Sequence, residues 1–217
     1  MTPRRISLFL SAIILLIAAS CNKGGKSGLL VPKDAAIVFH INSSSLTSKL
    51  SWTEITQTEW FQDASKKTTD TLALQILKDP ATSGIDTKAD FVLYIKKQGR
   101  GGLVAFTGFI SDADAFAKFN TKVSEGGSVY TDGDYNHLQF GDDGPMLTWN
   151  KKTFVYTANS PMPDMTEAMT RRSSSFDNYK FSPDSLKMFG KAALNIKPDD
   201  NLDSDKRFAE LVKDGAD

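Results

Sequence analysis

The apolar positions of this chain fall into three textures. From Ile6 to Ala19 they are almost continuous, interrupted only by Ser7 and Ser11. From about residue 30 to about 160 they come as short runs and periodic stripes, parted by turns bearing glycine, aspartate or proline. After Ala158 they thin into scattered groups. Each texture predicts a different kind of segment.

The first run is 14 residues long, short of the roughly 20 that cross a bilayer as a helix. Nothing polar interrupts Ile13 to Ala19, so a surface helix with a solvent face is the wrong reading too. Arg4 and Arg5 precede the run, and Ala18, Ala19 and Ser20 follow it. A basic start, an apolar middle and small residues at the end are the layout of a cleaved secretory signal peptide, here residues 1–20. Residues 22–29, Asn-Lys-Gly-Gly-Lys-Ser-Gly-Leu, then read as a flexible polar tether.

The middle texture predicts alternating strands and helices. Ala36 to Ile41 is rich in β-branched and aromatic residues and reads as a strand. A helix follows, capped by Ser44 or Ser45 with Leu46, Leu50 and Trp52 on its buried side. The spacing next predicts one longer helix from about Glu59 to Lys78, stopped by Asp79-Pro80. Phe91 to Ile95 and Leu103 to Ile110 flank a glycine-rich loop suited to a hairpin. Ser111 starts a helix with Phe116, Phe119 and Val123 on one stripe, and Gly126 closes it. Val129-Tyr130, Tyr135 to Phe140, Met146 to Trp149 and Thr153 to Ala158 are four more short strands. The order predicts an α+β fold, an antiparallel sheet packed by helices on one side, over residues 30–160.

The two prolines of Asn-Ser-Pro-Met-Pro-Asp mark a boundary after Ala158. Weaker helical patterns lie near Met165 to Arg172, Leu186 to Gly190 and Arg207 to Val212. Residues 161–217 therefore read as a helical, weakly structured tail that covers the first domain, or as the start of an incomplete second one.

Charge narrows the partners. The chain carries 26 Lys and Arg against 26 Asp and Glu. Loss of Arg4 and Arg5 with the signal peptide leaves 24 against 26, a formal net charge of −2. Nucleic acid needs a concentrated basic footprint, so it is not an expected partner. Cys21 is the one cysteine, which suits an exported protein without a disulfide framework.

No motif assigns a cofactor or a reaction. Gly-Gly-Lys-Ser at 24–27 lacks the glycine that a phosphate loop needs at position 20, which is Ser20. His40 and His137 both fall in strands, without a nucleophile elbow or a zinc-binding spacing. The best metal register is Asp132, Asp134, Asn136 and Asp143. It has His137 where a calcium loop needs glycine and an aspartate where it needs glutamate. Asp112/Asp114 and Asp142/Asp143 are explained by caps and turns. Trp52, Trp60 and Trp149 could stack on sugar, but core packing accounts for them. The expected metal, cofactor and catalytic sites are accordingly none.

Three resemblances add to this. Ala18-Ala19-Ser20-Cys21 resembles the lipobox of bacterial lipoproteins, with alanine where leucine is usual. The resemblance implies lipid attachment at Cys21 and a membrane partner held through that lipid. Asp70-Thr71-Leu72 and Asp184-Ser185-Leu186 resemble a D-[S/T]-apolar O-glycosylation motif, making Thr71 and Ser185 candidate acceptors.

The third resemblance rests on Val-Pro-Lys-Asp-Ala at 31–35, on the turn Asp79-Pro80-Ala81-Thr82-Ser83-Gly84-Ile85-Asp86, and on Asp-Ala-Asp-Ala-Phe-Ala at 112–117. Together they look like the N-terminal part of an uncharacterised lipoprotein family of Bacteroidetes, a domain of unknown function whose members are usually longer. The likeness covers roughly residues 15–160 and carries no active site with it. The expectation is a non-enzymatic envelope lipoprotein, facing the periplasm from the outer membrane, with an envelope protein or glycan as its partner. The absence of acidic residues in the tether favours the periplasmic side. The alternatives are a periplasmic hydrolase of glycan or peptidoglycan, and a truncated fragment without independent function.

Overall fold

The computed structural model of the chain describes residues 28, 30–68, 70–99, 101–160 and 180–208. The expected signal peptide, Cys21, most of the tether and the helix expected near Met165 to Arg172 lie outside the described residues.

Among the described residues seven strands form one sheet in which every neighbouring pair is antiparallel. They are β1 (Ala35–Ile41), β2 (Phe91–Gln98), β3 (Gly101–Phe109), β4 (Tyr130–Asp132), β5 (Tyr135–Gln139), β6 (Met146–Trp149) and β7 (Thr153–Ser160). The spatial order is β1-β2-β3-β7-β6-β5-β4. Two meanders are thus laid side by side, and β7 joins β3 in the middle. With its helices, the molecule is an α+β protein, as the sequence pattern predicts.

Helices α1 (Ser43–Lys49), α2 (Trp52–Gln57), α3 (Glu59–Lys67) and α4 (Thr71–Lys78) lie between β1 and β2. The single helix expected from Glu59 to Lys78 is therefore two. Thr68 turns its hydroxyl back onto the Ala64 carbonyl at 2.7 Å, closing α3. Asp70 accepts from the Leu72 and Ala73 amides at 2.9 and 3.2 Å and opens α4. Caps also differ from expectation at α1, where Asn42 accepts from the Ser45 amide at 2.8 Å.

The Asp79–Asp86 turn locks onto the next helix, α5 (Ala113–Val123). Gly84 takes φ +76°, and a Cβ there would fall 2.4 Å from both the Asp112 carbonyl and the Phe116 amide. Its own carbonyl accepts from the Ser111 and Asp112 amides. Ser111 is spent on this contact, its hydroxyl also donating to Gly84 at 3.1 Å, so Asp112 rather than Ser111 caps α5.

α5 lies on one face of the sheet, packing Phe116 against Trp149 and Phe154, with ring centroids 5.9 and 5.1 Å apart. Leu138, Phe140 and Leu147 complete that core. A further helix, α6 (Pro183–Ala193), lies on the opposite face. Its Leu186 is 2% exposed, and the Leu186 carbonyl accepts from the Thr157 hydroxyl at 3.0 Å. Phe154 and Val155 are adjacent in β7 and both fully buried, which requires cover on both sides. The expectation of helices on one side is corrected accordingly.

Sequence alone leaves two roles open for the chain after Ala158. Of that stretch, residues 180–208 pack against the sheet and share its core through Leu186, Leu194 and Leu202. Leu202 donates to Val31 at 2.7 Å, Lys33 donates to Asp200 at 3.0 Å, and Asn201 bridges Pro32. The described C-terminal residues thus close over the segment that leads into β1.

Candidate functional site

Polar chemistry concentrates where α6 crosses β4, β5 and β6. His137 of β5 is 2% exposed. Its Nδ1 lies 3.0 Å from Thr148 Oγ1 on β6, and its Nε2 is buried without a partner among the described residues. The register places His137 directly opposite Thr148 on one side and Tyr130 on the other. The Tyr130 ring stacks on the imidazole at 6.1 Å between centroids. Gly190 of α6 rests on Thr148; a Cβ at 190 would stand 2.3 Å from the hydroxyl oxygen.

Two lysines of α6 border this pocket of polarity. Lys187 Nζ stands 5.3 Å over the Tyr130 ring and 3.4 Å from Asp184. Lys191 Nζ is 2.9 Å from Asp132 and stands 5.6 Å over Tyr135, whose hydroxyl donates to Asn195 at 2.7 Å. Burial pushes the His137 imidazole below the ordinary histidine pKa, and the Lys187 ammonium adds to that. Asp132 works the other way, and Lys191 lowers it again. Asp132 is itself held below the usual carboxylate range, first by its hydrogen bond from Lys191. Both lysines already have acidic and aromatic partners, so this arrangement clamps α6 to the β4–β5 hairpin.

The second constellation sits at the β1–β2 edge. His40 Nε2 lies 2.8 Å from Asp90 Oδ2, with the two side chains 31% and 14% exposed. Asp90 directly precedes β2, fifty residues after His40, and no motif spacing foretells the pair. An imidazole oriented by a carboxylate is the first half of a general-base arrangement. Here it also ties the end of β1 to the loop before its neighbour.

The remaining candidate residues do not converge. Asp132 pairs with Lys191, Asp143 with Lys180 at 2.9 Å, and Asn136 Oδ1 accepts from Thr131. Among the described residues no group of three or more His, Cys, Asp or Glu could hold a metal ion. Thr71 is exposed at the first position of α4, its Asp70 neighbour serving as the cap. Ser185 is half-buried in the first turn of α6, its hydroxyl 3.0 Å from that of Ser182, the cap of that helix. Trp149 is core at 2% exposure, whereas Trp60 is 57% exposed. Among the described residues no helix is long and apolar enough to cross a membrane.

The family model described as Domain of unknown function (DUF4836) matches residues 29–190. That span takes in the sheet, α5 and most of α6; it begins after the lipobox-like segment and runs beyond residue 160, where the likeness read from the sequence ends. No curated protein and no solved structure matches the chain.

Proposed function

The chain belongs to the DUF4836 family, and from that premise we propose that it is an envelope lipoprotein whose α+β domain has a binding or structural role. The observation that carries the proposal is the placement of Cys21, the only cysteine, directly after a 14-residue apolar run and three small residues. Lipid on that sulfur replaces a transmembrane helix as the anchor. Each buried CH₂ adds about 0.8 kcal/mol, and a second chain turns marginal binding into a stable attachment. A bacterial origin among the Bacteroidetes and a periplasm-facing position at the outer membrane belong to the same proposal. The tether between Cys21 and Gly28 holds Lys23 and Lys26 and no acidic residue.

The test is fractionation of cells producing the full-length chain. The wild-type protein is expected with the membranes and in the detergent phase. Cys21→Ser is expected to leave the membrane fraction. Equal membrane retention of both proteins would overturn the lipid anchor.

A hydrolase reading draws on one observation, the His40–Asp90 pair. Purified protein would then release soluble fragments from peptidoglycan or an envelope polysaccharide, and His40→Ala would abolish the release. The proposed binding or structural role expects no turnover from either protein.

A further inference from the structure

We infer that the helical excursion α1–α4 is the face on which the domain rests against the lipid bilayer, with Trp60 at the water–lipid interface. The inference deepens the lipid-anchor reading and rests on it. Its first support is where the tether enters the fold. Gly28 stands against Phe109, a Cβ there lying 3.5 Å from the ring. Phe109 ends β3, and its carbonyl accepts from the Asp86 amide at 2.9 Å. The next residue, Ile110, bridges Ile85. At this same end of the sheet β1 finishes at Ile41, opposite Phe91, the first residue of β2. The excursion leaves from Ile41 and returns through Gly84 and Ile85, so both of its roots adjoin the tether's entry.

Tether length makes that placement consequential. Seven residue steps separate Cys21 from Gly28, and a fully extended chain covers at most about 25 Å in that number. A lipid on Cys21 therefore keeps this end of the sheet close to the bilayer surface.

The excursion's own surface is the second support. No residue of α2 or α4 is buried, and in α3 only Phe61 is. Yet α4 carries Leu72, Leu74, Ile76 and Leu77, each only partly buried. Trp52 and Trp60 both meet Phe61 edge-on at 5.7 Å, and Trp60 remains 57% exposed, with Leu50 39% exposed. Incompletely covered apolar helices with an exposed tryptophan fit the interfacial zone, where an indole keeps its ring in the apolar layer and its N–H in the wet one. Residues 43–79 carry four lysines and five acidic side chains. Attraction to anionic headgroups is thus not the driving term, and apolar burial is.

The sole cysteine permits a test that does not depend on natural lipidation. The chain from Cys21 onward, which keeps every described residue, is coupled through Cys21 to a maleimide lipid in phosphatidylcholine vesicles. Vesicles with brominated acyl chains are compared with plain ones. Tryptophan emission is expected to be quenched by the brominated lipid at low and high salt alike, and Trp60→Phe is expected to lose most of that quenching. Emission unchanged by brominated lipid, or quenching that survives in Trp60→Phe, would overturn the inference. A blue shift on concentrating the uncoupled chain, with no response to brominated lipid, would assign the face to a second copy and overturn it too. Failure of Cys21→Ser to leave the membrane would instead strike the anchor reading, so the two failures are distinguishable.

Discussion

His137 and Thr148 face each other across β5 and β6, the imidazole Nδ1 3.0 Å from the hydroxyl oxygen, beneath a helix whose Gly190 touches that same threonine. A titratable ring is thereby shut under α6, with Lys187 and Lys191 on the helix and Asp132 and Tyr130 on β4 around it.

Stability should consequently depend on this one histidine. Its folded-state pKa lies below the unfolded value of about 6.5, so the unfolded chain binds more protons in the interval between the two. Stability is then fully present above that unfolded value and is lost as pH falls through it toward the folded pKa. Urea midpoints measured from pH 7.5 to 5 are expected to drop with acidification. His137→Gln is expected to flatten that drop. An equal slope in the variant would show that other groups carry it.

The Gly190–Thr148 contact leaves no room for a side chain. Gly190→Ala brings a Cβ to 2.3 Å from Thr148 Oγ1 and 2.8 Å from its Cβ. Alanine favours the helix by about 1 kcal/mol over glycine, while overpacking costs about 1–3 kcal/mol. A net loss of stability is expected, because both partners sit on rigid elements. Thr148→Ala removes the nearer of the two atoms and should recover part of the loss in a double-mutant cycle. Gly190→Ala as stable as wild type would mean that α6 can lift from the sheet at little cost.

Gly84 is less tolerant still. Its φ of +76° disfavours any Cβ by roughly 1–2 kcal/mol. In addition, that atom would stand 2.4 Å from two backbone atoms at the start of α5, which cannot rotate away. Gly84→Ala is expected to cost more than Gly190→Ala, read as a larger fall in the urea midpoint.

Much of this fold can be read from the chain where one face of an element meets water. Met146–Trp149 is found where the pattern places it, and β1, β2, β3 and β7 differ from expectation by a few residues at their ends. The second helical layer is not legible for a physical reason. Antiparallel strands with one solvated face alternate apolar and polar residues, and Tyr135 to Phe140 shows that alternation. Its polar member His137 is nevertheless buried, as are Thr148 and Thr157 beside it, because α6 covers that face with Leu186 and Gly190. Contacts between Thr157 and Leu186, or between Val31 and Leu202, link residues far apart in sequence that no local pattern ties together. The His40–Asp90 pair escapes sequence reading for the same reason. By contrast, the Asp79–Asp86 turn shows itself as a turn in sequence, and the structure supplies its purpose in the lock on α5.

Whether Cys21 carries lipid is read from the intact mass of the detergent-extracted native protein. The expected mass exceeds that of the polypeptide counted from Cys21 by three acyl chains and a glyceryl group, with hexose increments if Thr71 or Ser185 is glycosylated. A mass equal to that of the bare polypeptide counted from Cys21 would contradict the anchor and leave a free thiol.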